Sequence, residues 1–119
     1  MVEFRIIVET IEDDVNVLSE EQEYCRWWGT VGKNFAWPVL PRQGELIIVS
    51  SGVMLTVQDI FHFMDKDNFT SVRCNNIQIH ELYQLFYDDA WELDDCPKEH
   101  LQTTSDLLRK RVEKWRNSR

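Results

Sequence analysis

The chain opens with a strict alternation. Val2, Phe4, Ile6 and Val8 fall on one face, and Glu3, Arg5 and Glu9 on the other. A period of two predicts a half-buried strand over residues 2–9. Residues 28–37 hold Gly29, Gly32 and Asn34 and read as strand or turn. Leu46 to Ser50 is a short apolar run of strand length, and Ser50-Ser51-Gly52 is a hairpin signal. A long strand follows from Val53 to about Met64, with Leu55, Val57, Phe61 and Phe63 placed on one face. Asp65-Lys66-Asp67-Asn68 makes a turn into a strand from Phe69 to Cys74. The middle of the chain is therefore expected to be a three-stranded meander.

The period then changes. Ile79, Leu82, Tyr83, Phe86, Ala90 and Leu93 recur at helical spacing and predict a helix over 79–91. Pro97 suits the first turn of a last helix, along which Leu101, Leu108, Val112 and Trp115 form an apolar stripe. Ser19 and Gln22 form a possible capping box for a short helix through about Trp27. The elements together predict one α+β domain over residues 1–119. Its expected architecture is a small, strongly bent antiparallel sheet or partial barrel with two C-terminal helices.

Between the first strand and the meander lies Leu40-Pro41-Arg42-Gln43-Gly44-Glu45, which runs into Leu46-Ile47-Ile48. The prolines favour an extended approach, and Gly44 permits a tight turn before the strand. This stretch, over residues 35–64, resembles small bacterial and phage proteins in which a Pro-Arg-x-Gly-Glu segment feeds the first strand of a small barrel-like sheet. The resemblance implies a fold and a bacterial or phage source. It assigns no activity.

Charge narrows the choice of partner. The net charge is −8, yet the last thirteen residues hold Arg109, Lys110, Arg111, Lys114, Arg116 and Arg119 against Glu113. The rest of the chain is correspondingly more acidic. Phosphate would meet like charge there, so nucleic acid is not an expected partner, whereas a basic protein surface is. No apolar run approaches the roughly 18 residues that cross a bilayer, and the first residues lack the pattern of a secretory signal. Cys25, Cys74 and Cys96 are odd in number and widely spaced, which points to a reducing, cytoplasmic setting.

Several constellations invite chemistry. Asp88, Asp89, Glu92, Asp94, Asp95, Cys96 and His100 crowd together and could serve a small metal-dependent enzyme, although Asp88 and Glu92 one turn apart also describe a solvated helix face. Cys96 and His100 make half a zinc pattern without a second half. Asp65-Lys66-Asp67-Asn68 begins like a calcium loop, but Thr70 and Asn76 stand where glycine and glutamate are needed. His62, His80 and His100 are scattered, no strained nucleophile turn is present, and Gly29-Thr30-Val31-Gly32-Lys33 lacks the spacing of a phosphate loop. No catalytic residue, metal or cofactor is assigned.

Two readings remain ahead of the metal enzyme. The first is a non-enzymatic acidic inhibitor or adaptor, of the phage anti-defence or immunity type, that binds a basic surface of a protein partner. Glu12, Asp13, Asp14, Glu20, Glu21 and Glu23 would supply the field, and Trp27 or Trp28 an aromatic anchor. The second is a sequestering protein for a nucleotide-like small molecule. Trp37, with Trp27 and Trp28, would stack a base, and Lys33 and Arg42 would meet phosphate.

Overall fold

A computed structural model of the chain describes residues 1–11, 29–63, 69–94 and 96–118. The elements are β1 (Val2–Glu9), β2 (Thr30–Trp37), β3 (Leu46–Ile48), β4 (Met54–Phe63), β5 (Phe69–Cys74), α1 (Ile79–Asp88), β6 (Glu92–Asp94) and α2 (Lys98–Asn117). They form an α+β fold in which one strongly curled, six-stranded half-barrel runs in the order β3-β4-β5-β1-β2-β6. The meander β3-β4-β5 is antiparallel throughout, as its turns require. The sheet as a whole is mixed, because β1 joins β5 in parallel through Arg5–Ser71, Ile6–Val72 and Ile7–Arg73. This corrects the all-antiparallel expectation. A strand at the centre of the sheet has two neighbours, and β1 meets β2 antiparallel on one side only.

Alternation holds where predicted and shifts where the backbone shifts. Phe4, Ile6 and Val8 are buried in β1. Val53, just ahead of β4, and Leu55 and Val57 on it are buried, but an irregularity between Val57 and Asp59 adds a residue to the count. Such a bulge exchanges the faces beyond it. Ile60 is therefore the next residue packed on the core, and Phe61 is exposed with the Arg73 guanidinium 6.0 Å from its ring centre.

The helices also depart from the expected limits. α1 begins at a reciprocal capping box between Gln78 and Glu81 and stops at Asp88, three residues early. Ala90 has φ of 58°, a left-handed conformation that ends the helix as such residues commonly do. Trp91 then donates its N–H to Leu85 O at 3.1 Å, and the chain turns into β6. Leu93 is thus a buried strand residue, and only α2 follows the sheet in sequence. Pro97 caps α2 rather than lying within it. The buried stripe of α2 runs through Thr104, Leu108 and Val112, while Leu101 is exposed. Tyr83 and Trp115 lock the two helices edge to face, with centroids 5.5 Å apart. The short helix near residues 19–27 and the turn at 65–68 lie outside the described residues. Among the described residues, no helix is long and apolar enough to cross a membrane.

The Pro-Arg-x-Gly-Glu segment has a physical account. Arg42 donates its backbone N–H to the Glu45 carboxylate at 2.8 Å, and Glu45 returns its N–H to Arg42 O at 3.1 Å. Gly44 sits at φ of 89° between them and donates to Val57 O. The motif is a self-closed turn that aims β3 along β4.

Candidate functional site

A half-barrel has an open side, and here a cleft occupies it. β2 presents Val31, Lys33, Phe35 and Trp37 on one face, because they stand two residues apart on a strand. Val31 is buried in the core, and the other three continue past it to line a cleft of about 160 Å³. Ile47 and Val49 form the facing wall, and Asp89 and Trp91 come from the segment between α1 and β6.

The aromatic wall is braced from its side. Phe4 stacks on Phe35 at 6.1 Å and meets Trp37 edge-on at 5.1 Å. Phe35 also makes edge contacts with Trp37 at 5.6 Å and with Trp91 at 5.9 Å. Offset and edge geometries of this kind suit aromatic rings and fix their orientation.

Two charged groups share the cleft without forming an ion pair. Lys33 Nζ donates to the backbone oxygen of Asp89 at 2.6 Å and lies 5.9 Å from the Phe35 ring centre. The Asp89 carboxylate accepts from Ser51 through one oxygen only: Oγ at 2.7 Å and N–H at 3.3 Å. An ammonium has three donors and a carboxylate four lone-pair sites, so each retains capacity for a ligand. Asp89 also ties the β3–β4 turn to the end of α1. Replacing it with alanine is expected to cost about 1–2 kcal/mol, the lower part of the range for hydrogen bonds to charge, since the group is half-buried. Urea unfolding of Asp89→Ala and Asp89→Asn tests this. The asparagine keeps an acceptor and should lose about half as much; equal losses would contradict the bridge.

Of the residues singled out for a small-molecule ligand, Lys33 and Trp37 meet in this cleft, joined by Asp89 from the acidic run. Arg42 does not line it and is exposed in its turn. Glu12, Asp13, Asp14, Glu20, Glu21, Glu23, Trp27 and Trp28 lie outside the described residues. Phe35 was legible as the same-face residue between Lys33 and Trp37, once β2 is read as a strand. Asp89 and Trp91 carried no such signal, being brought in by the fold.

Asp95 lies outside the described residues, and the described members of the acidic run near residues 88–100 do not gather. Asp88 pairs with Arg116, Asp89 with Ser51, and Asp94 with Arg5 at 3.3 Å. Glu92 is exposed on β6. Among the described residues, no three histidine, cysteine, aspartate or glutamate side chains converge as a metal site.

No protein-family model, curated protein or solved structure matches the chain.

Proposed function

We propose that the chain is a non-enzymatic binding protein whose cleft takes a flat heteroaromatic ring of nucleobase type. The observation that carries this reading is the convergence of Lys33 and Trp37, with Phe35 between them, on one cleft. A dry protein cavity of about 150 Å³ accommodates a benzene ring. A cleft of about 160 Å³ that is open to solvent suits one ring system rather than a whole nucleotide. The spare donors of Lys33 fit a ring carbonyl, and the spare oxygen of Asp89 fits an adjacent ring N–H. The same carboxylate disfavours phosphate, and Arg42 is not placed to offset it, so the free base or nucleoside is the better ligand.

Titration of the full chain with uracil, guanine and adenine nucleosides, followed by calorimetry, tests the reading. Only the base is seated, and its roughly ten non-hydrogen atoms at about 0.4–0.7 kcal/mol each give Kd between about 10 μM and 1 mM. Uridine and guanosine, which carry N–H beside C=O, should bind more tightly than adenosine. Trp37→Ala should weaken binding at least tenfold. Absence of heat and of chemical-shift change with every nucleoside at millimolar concentration would remove the proposal.

The net charge of −8 favours a second reading, the acidic inhibitor or adaptor for a basic protein surface. It rests on Glu12, Asp13, Asp14, Glu20, Glu21 and Glu23, with Trp27 or Trp28 as anchor. Gentle purification from native cells followed by mass measurement separates the two. A retained small mass supports the cleft, and a salt-labile protein mass supports the acidic face.

A further inference from the structure

β3 is an edge of the sheet, and its hydrogen bonding can be assigned residue by residue. Val57 donates to Glu45 O, and Val49 donates to Val53 O. Residues 45 and 49 therefore bond inward to β4. In an antiparallel ladder the inward-bonding residues alternate, which places Ile47 with them. The peptide groups of Leu46 and Ile48 consequently point away from β4. Among the described residues no strand lies beyond them.

The side chains at this edge are equally unusual. Leu46 is 57% exposed and Ile48 64%, and Met54, the register partner of Ile48, is 57% exposed. Edges in monomeric proteins are commonly blunted by lysine, proline or a bulge. β3 reads Leu-Ile-Ile and carries none of these, so that only its three-residue length limits the edge.

The geometry points to a second copy of this chain as the occupant, joined through β3 about a two-fold axis. The two outward-pointing residues are symmetric about Ile47. An antiparallel partner centred there sets Leu46 against Ile48 of the second copy and Ile48 against its Leu46, so that both outward peptide groups of each strand are satisfied. The exposed apolar side chains become cross-strand neighbours. The flanking charges permit the approach. In this register Glu45 faces Val49, so no like charges are opposed along the strand, and the Glu45 carboxylate is already turned back to the Arg42 N–H. The result is one continuous sheet running through both copies.

Sedimentation equilibrium of the full chain, across a concentration series, tests the inference. Twice the 14.3 kDa chain mass is expected at about 0.1 mM, because an interface of this size belongs to the weak class. Ile48→Pro removes an outward N–H that β4 does not use, and should give monomer with an unchanged circular dichroism spectrum. Leu46→Lys should also give monomer. Met54→Lys, which changes the sheet face but not the edge, should shift the dissociation constant less than either. A wild-type chain that stays monomeric to about 1 mM, beyond the usual range of weak interfaces, overturns the inference. So does a dimer that survives both Ile48→Pro and Leu46→Lys.

Discussion

Replacing Phe4 with alanine is expected to destabilise the protein by about 3–5 kcal/mol, as for other fully buried phenylalanines. Phe4 is 2% exposed and lies on the central strand β1, opposite Phe35 in the register. Its ring contacts both Phe35 and Trp37, so the cavity left by its loss opens directly beside the cleft wall. Domains of this length are stable by about 6–18 kcal/mol, and the loss is a large fraction of that. Phe4→Leu conserves more volume and should cost about 1–1.5 kcal/mol. Urea unfolding measures both. The leucine variant, still folded, should nevertheless bind a nucleoside ring less tightly, because the two aromatic side chains lose their brace. A loss below about 1.5 kcal/mol for the alanine variant would contradict the packing described here.

The second large effect is alkaline. Cys74 ends β5, is 1% exposed, and stands opposite Val57. Burial in apolar surroundings disfavours the thiolate and pushes the thiol from its ordinary 9.0 up to about 12. In the unfolded chain the thiol loses its proton from about pH 9, while the folded protein holds it until about pH 12. The unfolded state then binds fewer protons, so stability falls as pH rises through that window. The slope is about 1.4 kcal/mol per pH unit, and the full loss across the window about 4 kcal/mol. Alkaline loss of stability has more than one source in any protein. The measurement is therefore a comparison: urea midpoints of the wild type and of Cys74→Ala from pH 8 to 10.5. The wild type should lose stability more steeply above pH 9, and parallel curves would show that Cys74 is not the cause.

How much of this was legible beforehand follows from the range of each signal. The alternation of β1, the Ser50-Ser51-Gly52 hairpin and the meander are local patterns, and local patterns survive into the structure. Phe61 shows where they fail. A single extra residue near Asp59 exchanges the faces of the strand, and nothing in the sequence around it marks the bulge. The end of α1 was missed for a related reason. Ala90 and Leu93 keep helical spacing, but Ala90 is left-handed and Leu93 is needed as the partner of Val31 on β6. Tertiary pairing overrode a favourable period. The cleft was half legible. Lys33 and Trp37 were identifiable by residue type, and Phe35 by parity. Asp89 sits 56 positions from Lys33, and only the curl of the sheet and the turn after α1 bring its backbone oxygen to the ammonium.

The parallel seam between β1 and β5 also governs the order in which the chain can fold. On one side of it stands the pair β1-β2 and on the other the meander β3-β4-β5, each joined by antiparallel contacts alone. The contacts of the seam link residues 5–7 to residues 71–73, about three times the separation of Glu9 and Thr30, where β1 and β2 come closest in sequence. Closing the longer loop costs only about 1 kcal/mol more, since the penalty grows with the logarithm of length. The rate cost is of another kind, because distant pairings slow the search. During synthesis the first strand emerges with one edge unsatisfied and keeps it so until residue 73 has left the ribosome. The two halves are thus free to form early and dock late, and only β6, made after residue 91, can join the sheet later than this seam.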